Sequence, residues 1–268
     1  MQTICLVTAL PAEARPLISH FGLQARGHRH LRLYRGELGY LLQCGAGKLN
    51  AAASTAAMMQ ALPDVNAVVN VGIAGCQQAL GQTLVAHAVR DQASSQQWFP
   101  HLPPVNRIPD TRSVQLLTVD KPAENYSADI AFDMEAAGVF NAASKVIDLA
   151  FIHSIKAVSD NGESGVKVVT AKTTTSLVES AIPTIEKMVQ ALPFDLLPDT
   201  TAVSTLTRSL IRHIHYTATE QNTLKQLLHR YNALYGELPS NQILQTQGSA
   251  KAIRRMLSSQ ISNASISY

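Results

Sequence analysis

Three acidic residues lie where a protein built of alternating strands and helices would place chemistry. Glu13 follows the first short apolar run, Glu135 opens a helical segment after a loop, and Asp160 follows a buried, strand-like run that ends at Val158. Ligands of doubly wound sheets bind beyond the carboxyl ends of the strands, so acids just after strands are the first candidates for a functional site. A carboxyl group in such a place can donate or accept a proton.

Each of the three acids also has a purely structural interpretation. Glu13 suits the first turn of a helix because of the helix dipole. Glu135, with Asp133 close by, is an acceptable N-terminal capping group, and Asp160 begins an Asp-Asn-Gly sequence of the kind that forms turns. Taken one at a time, the structural interpretation is favoured for every one of them.

The elements expected to position these acids alternate along the chain. Strands are predicted over 3–8, 31–36, 40–44, 66–71, 83–90, 114–119 and 151–158, and helices from Pro11 to near Gly22 and over 48–62, 134–146 and 170–192. Pro183 is expected to break or kink the last helix, and Gly72 and Gly75 are expected to end the 66–71 strand. The alternation predicts an α/β fold with a mostly parallel central mixed sheet flanked by helices.

A change in composition along the 268 residues predicts two domains. Prolines and threonines after Leu192 indicate a linker, so we predict one α/β domain over 1–192 and a small helical extension of unknown role over 193–268, with helices near 202–216, 219–235 and 249–261. The formal charge of +3 comes entirely from the extension, which has seven Lys or Arg and four Asp or Glu. So mild an excess argues against a nucleic-acid partner.

Cysteine and histidine usage predict a reducing compartment and no metal. The three cysteines are far apart and odd in number, which is typical of buried thiols in a cytoplasmic protein. No apolar run reaches the roughly 18 residues that a membrane span needs. The spaced pairs His28/His30 and His213/His215 lack the further ligands of a metal site.

Five short stretches that contain the acids and several glycines follow one another between residues 8 and 160. They are Thr8 to Glu13, Cys44 to Ala52, Asn70 to Gly75, Phe132 to Ala137 and Lys156 to Asp160. In the same order they resemble five motifs of the purine nucleoside phosphorylase superfamily, which includes the methylthioadenosine and S-adenosylhomocysteine nucleosidases. These motifs are a small-residue turn ending in an acid, Gly-x-Gly-Lys-x-Asn-Ala-Ala, Asn-Thr-Gly-Ser-Ala-Gly, Glu-Met-Glu-Ala and Arg-x-Ile-Ser-Asp. The resemblance covers the first domain and implies an enzyme that cleaves N-ribosidic bonds.

The resemblance implies a role for each acid in a reaction that develops positive charge on the sugar and negative charge on the departing base. Asp160 would protonate or hydrogen-bond the purine N7, which requires a pKa raised by burial, and Ser159 would orient it. Glu135 would accept hydrogen bonds from the ribose 2′ and 3′ hydroxyls above Met134. Glu13 would position or activate the attacking water. The further substrate-binding residues are Ala74, Gly75 and Asp133.

Several positions depart from the family pattern around the expected site. Ile73 replaces a serine, Cys76 replaces a glycine, Asp133 replaces a glutamate, and Pro122 stands near the family's base-stacking aromatic residue. The choice between water and phosphate as nucleophile depends on cations near Glu13. Arg15 and Arg35 are the available cations, and hydrolysis is favoured.

Three classes of function follow. The first is hydrolysis of an adenosine-like nucleoside by a cytoplasmic homodimer without a cofactor, with phosphorolysis, and phosphate as co-substrate, as its near alternative. The second is a degenerate member that binds a nucleoside without turnover. The third makes the extension a helical protein-binding or nucleic-acid-binding module, although its cations are equally typical of a solvated helix surface.

Overall fold

The computed structural model describes residues 2–28, 30–102, 111–123, 126, 129–163, 169–194 and 200–263. The chain divides into two compact units, Met1–Pro193 and Phe194–Tyr268. Among the described helices, none is long and apolar enough to cross a membrane.

The first unit alternates strands with helices. Its strands are β1 (Ile4–Thr8), β2 (Gln24–His28), β3 (Leu31–Gly36), β4 (Gly39–Gln43), β5 (Ala67–Gly75), β6 (Thr83–Asp91), β7 (Gln97–Trp98), β8 (Arg112–Thr118), β9 (Ile130–Asp133) and β10 (Ile152–Asp160). Its helices are α1 (Pro11–His20), α2 (Lys48–Ala61), α3 (Ala136–Ala143) and α4 (Ala171–Ala191), and a short 3-10 turn covers Leu149–Phe151.

The strands form one mixed sheet. Strands β4, β1, β5 and β10 lie side by side and run parallel, and β6, β8 and β9 form a second parallel set. The two sets meet in antiparallel pairings of β10 with β6 and of β5 with β9. The predicted α/β fold with a helix-flanked central sheet is therefore confirmed.

Strand β5 continues beyond Gly72, the first glycine that was expected to end it. It runs through Gly72 to Gly75. A Cβ atom on Gly72 would lie 2.5 Å from Oε1 of Glu13. The glycine is therefore needed for close approach of a carboxylate to a continuous strand, and the prediction that it stops the strand was wrong.

Two further element boundaries differ from the predictions. Strand β10 is buried along its whole length and includes Ser159 and Asp160, so Asp160 belongs to the strand and is not a turn former. Helix α4 continues through Pro183. The predicted strands 31–36 and 40–44 were found as the antiparallel pair β3 and β4, whereas β2 and the four-residue β9 had not been predicted.

The neighbouring aromatic residues Trp98 and Phe99 have opposite environments. Trp98 is buried, with its ring centroid 6.4 Å from that of Phe140, whereas Phe99 is exposed. Trp98 therefore anchors β7 to the core. The cysteines Cys5, Cys44 and Cys76 are buried free thiols.

The second unit is helical and has a core of its own. Its helices are α5 (Thr200–His213), α6 (Ala218–Tyr235), α7 (Asn241–Gln245) and α8 (Ala250–Asn263). Buried leucines, isoleucines and valines from all four helices form one cluster, joined by Tyr216. Helix α7 had not been predicted, because five residues are too few to show a helical period.

Candidate functional site

A cleft in the first unit brings together all of the site residues that the sequence predicted. It lies where β1, β5, β9 and β10 end. Its described lining is Ala9, Leu10, Glu13, Ala46, Ile73, Ala74, Gly75, Val119, Pro122, Ala123, Tyr126, Phe132, Asp133, Met134, Glu135, Ser159, Asp160 and Val169. Residues far apart in the chain thus share one site because their strands end at one edge.

Glu13 is held rigidly at the start of α1. Its Oε2 accepts hydrogen bonds from the backbone N–H groups of Ala9 (2.8 Å) and Leu10 (2.9 Å), and its Oε1 accepts one from Ile73 (3.2 Å). Burial raises its pKa above the usual value, while Lys156 and the three N–H donors oppose the rise. An ionised carboxylate has about four acceptor positions, so one remains for a molecule in the cleft.

The structural and the chemical interpretations of Glu13 are therefore compatible. The carboxylate accepts from the N–H of Leu10, the N-cap residue of α1, whose N–H the helix leaves without a partner, and from Ala9 and Ile73 outside the helix. It is also 3% exposed and lines the cleft, next to Ile73 near the end of β5.

Lys156 is a buried cation beside the carboxyl groups of the site, behind the cleft lining. Its Nζ lies 3.0 Å from Oδ2 of Asp133, and the lysine is only 3% exposed. Burial works against the ammonium form, but Asp133, Glu135 and Glu13 outweigh it and raise the pKa of Lys156. One cation thus partly compensates three carboxyl groups, and the cluster keeps an excess of negative charge when they are ionised.

Asp133 is bonded to the protein on both of its carboxylate oxygens. Oδ1 accepts from the Thr118 hydroxyl (2.7 Å), and Oδ2 accepts from the backbone N–H of Ala136 (2.8 Å) as well as from Lys156. The Thr118 oxygen in turn accepts from Ala137 N–H (2.9 Å). Asp133 therefore caps α3, the role that the sequence had offered to Glu135, and holds Lys156 in place.

Glu135 remains available to the cleft. Its Oε1 accepts a hydrogen bond from the backbone N–H of Gly47 (2.7 Å), which ties the α3 start to the α2 start. Burial raises the pKa of Glu135 to about 7, with Lys156 lowering it and Asp133 raising it further. The side chain therefore changes its charge near neutral pH.

This raised pKa predicts a specific pH dependence of stability. Between its ordinary value of 4.5 and about 7, Glu135 holds a proton in the folded chain but releases it in the unfolded chain. The folded state then binds more protons, so the free energy of unfolding falls as pH rises through this window. We expect Glu135→Gln to reduce that slope in urea unfolding measured at a series of pH values. Glu179→Gln, on an exposed position of α4, is the matched control. An unchanged slope in Glu135→Gln would contradict the assignment.

Asp160 accepts two hydroxyl hydrogen bonds at the other side of the cleft. The Ser159 hydroxyl donates to Oδ1 and the Tyr126 hydroxyl donates to Oδ2. A Cβ atom on Gly75 would collide with the Tyr126 ring at 2.4 Å and would lie 2.8 Å from Oδ2 of Asp160. Gly75 therefore makes room for both side chains.

Sequence reasoning missed two residues of this site. Lys156 was noted only as part of a motif, although a lysine inside an apolar strand signals buried carboxylate partners. Tyr126 lies four residues beyond Pro122, the position compared with the family's aromatic residue. Its ring stands edge-on to Phe132, with 6.3 Å between the centroids.

The two arginines considered as phosphate ligands lie away from the cleft. Arg15 lines a separate surface depression with Glu179 and His20. Arg35 lies over the Tyr40 ring, 5.5 Å from its centroid, on the β3 strand. Neither belongs to the cleft lining among the residues that the structure describes.

The sequence match to known families falls on the first unit. The model of the Phosphorylase superfamily matches residues 3–119. Together with the fold, this match confirms the resemblance of the first unit to the nucleoside phosphorylase superfamily. A comparison with curated proteins found no match.

Solved structures of similar fold include nucleosidases and a futalosine hydrolase. The 5′-methylthioadenosine/S-adenosylhomocysteine nucleosidase of Streptococcus pneumoniae, solved with a transition-state inhibitor, is 19% identical, with a TM-score of 0.60 over 71% of this chain and 100% of that one. The Arabidopsis thaliana 5′-methylthioadenosine nucleosidase is 20% identical (TM-score 0.60; 72% and 96%), and a mutant futalosine hydrolase of Helicobacter pylori is 15% identical (0.58; 71% and 99%). At these identities the likeness establishes the fold.

Proposed function

We propose that the first unit hydrolyses the N-ribosidic bond of an adenosine-like purine nucleoside. The observation that carries this proposal is the charge of the cleft. Its described lining contains the four carboxyl groups of Glu13, Asp133, Glu135 and Asp160 and no lysine or arginine. Such a lining favours a positively charged sugar in the transition state and disfavours a phosphate dianion.

Asp160 is assigned to the departing base. As its C1′–N bond breaks, the purine gains negative charge, which a carboxylic acid at N7 neutralises by proton donation. Ser159 and Tyr126 each hold one oxygen of Asp160 and so fix the plane of its carboxyl group. The acid is thereby oriented before the substrate arrives.

Glu135 and Met134 are assigned to the ribose. One oxygen of Glu135 is fixed by the Gly47 N–H, and the other is assigned to the 2′ and 3′ hydroxyls. The excess negative charge around Lys156 then stabilises the sugar as its positive charge grows. Met134 lines the same cleft and packs against the sugar in this arrangement.

Glu13 is assigned to the attacking water. Three backbone N–H groups fix its position, burial raises its pKa, and one acceptor position remains. A carboxylate with a raised pKa is the stronger base, as an inverting glycosidic hydrolysis requires.

Phosphorolysis is the second candidate, supported by the superfamily match alone.

We further propose a cytoplasmic homodimer that needs no cofactor. Leu10 and Leu49 are exposed apolar side chains at or beside the cleft, and a second copy would cover them.

The test is release of free base from adenosine, 5′-methylthioadenosine and S-adenosylhomocysteine, with and without phosphate. We expect the rate of base release in phosphate-free buffer to equal the rate in buffer that contains phosphate. Release only with phosphate would replace hydrolysis by phosphorolysis. Nucleoside binding without release would favour the degenerate binder.

A further inference from the structure

The second unit contains a pair of helices joined in an arrangement seen in DNA-binding proteins. Helix α7 has five residues, the connection covers only the four residues 246–249, and helix α8 has 14. Gly248 in the connection has φ of +70°, and the Ser249 hydroxyl accepts the backbone N–H of Ala252 (3.2 Å), which caps α8. A short helix, a glycine-containing connection of four residues and a longer second helix follow one another in the chain order of a helix-turn-helix.

The core of the unit fixes which face of α8 points outward. Ile253, Leu257 and Ile261 are buried, and α8 packs on α6, where the Tyr235 hydroxyl donates to the carbonyl of Gln260 (2.9 Å). Leu244 of α7 is also buried in this core, and α7 packs on α5. Both helices of the pair are therefore positioned by packing.

The outward face of α8 is basic. Lys251, Arg254 and Arg255 are all exposed, and their spacing of three and four residues places them on one side of the helix. Residues 238–263 contain these three cations and no aspartate or glutamate. Glu220, near Arg254, is bonded to Thr217 at the start of α6.

Most of the other exposed residues of the pair carry hydrogen-bonding side chains, while Ile243 on α7 is an exposed apolar side chain. Gln242 on α7, Ser249 in the connection and Ser258, Ser259 and Gln260 on α8 are exposed. Serine, glutamine and arginine are side chains that read base edges or bond to phosphate oxygens in the major groove. The exposed face of α8 thus combines cations with side chains that can form hydrogen bonds to a duplex.

We propose that α8 is a recognition helix that binds duplex DNA in the major groove, with Lys251, Arg254 and Arg255 contacting the backbone or base edges. The small overall charge had argued against nucleic acid. The charge is nevertheless concentrated locally, because three cations lie on one exposed face of the second helix of this pair. This proposal is independent of the chemistry of the first unit.

The test is binding of the full-length chain to a fluorescent pool of random-sequence duplex DNA, followed by anisotropy. Non-specific contacts of this kind give dissociation constants of about 1–100 μM at physiological salt. With about three phosphates neutralised, the logarithm of affinity is expected to fall against the logarithm of salt with a slope of roughly −3. Duplex RNA of matched sequences is measured in parallel.

One triple variant and one double variant distinguish binding through α8 from a general effect of positive charge. Lys251→Ala/Arg254→Ala/Arg255→Ala is expected to weaken binding by at least about tenfold and to flatten the salt dependence. Arg208→Ala/Arg212→Ala, at exposed positions of α5, removes cations from the same unit and should retain most of the affinity. Helix content by circular dichroism checks that both variants fold.

Three results would overturn the proposal. They are the absence of duplex binding at low salt, equal loss of affinity in the α8 and α5 variants, and tighter binding of duplex RNA than of duplex DNA. Base release by the first unit is unaffected by any of them, so failure here leaves the hydrolase proposal standing.

Discussion

Asp160→Asn is expected to lower the rate of base release by about 10²–10⁴-fold, the contribution of a positioned general acid. Asparagine has nearly the same shape but has no carboxylic proton to give to N7. It also turns one acceptor oxygen into an amide donor, so either the Ser159 or the Tyr126 hydroxyl loses its acceptor. The measurement is free adenine released per unit time by wild type and variant.

Two controls separate this chemistry from folding. Asp129→Asn makes the same change at a carboxylate whose side chain is 87% exposed, and it should retain full activity. Tyr126→Phe keeps the ring but removes the hydroxyl that donates to Asp160, and it should cost less than Asp160→Asn. Asp160→Asn with wild-type activity would show that this carboxyl group does not protonate the base.

Glu13→Gln is expected to lower base release by at least about 10²-fold, because the amide cannot accept a proton from the attacking water. All three of its backbone partners are N–H donors, so the new amide group faces at least one donor across the site. That mismatch should cost about 1–3 kcal/mol in the free energy of unfolding.

The two effects of Glu13→Gln can be measured independently. Urea unfolding gives the stability cost, and equilibrium binding of adenine reports whether the opposite, Asp160 side of the cleft is intact. We expect retained adenine binding with lost turnover. Turnover within a few-fold of wild type in the folded variant would contradict the assignment of Glu13 to the nucleophile.

The sequence was informative where signals were local. The Val-rich run at 66–71, the Ala-rich 48–62 segment and the Pro11 start each indicated the correct type of element. Gly72 misled, because the reason for the glycine is the carboxylate of Glu13, which approaches from another element. The four residues of β9 are too few to show alternation, and their pairing with β8 depends on the assembled sheet.

The candidate site was predicted only in part, because some of its residues have a local signal in the sequence and others do not. Glu13, Glu135 and Asp160 each carried a local signal, because they lie near the ends of strands or the starts of helices. Lys156 has its meaning only from Asp133, Glu135 and Glu13, which are brought to it by the fold. The hydrogen bond from Tyr126 to Asp160 likewise joins a residue between β8 and β9 to the last residue of β10, and nothing in the local sequence relates the two.

The most direct test of the account is base release from an adenosine-type nucleoside by the purified full-length chain in phosphate-free buffer, with Asp160→Asn measured beside it. The account predicts steady release by the wild type, unchanged on adding phosphate and nearly abolished in the variant. Release that requires phosphate, or equal release by the variant, would contradict hydrolysis assisted by Asp160.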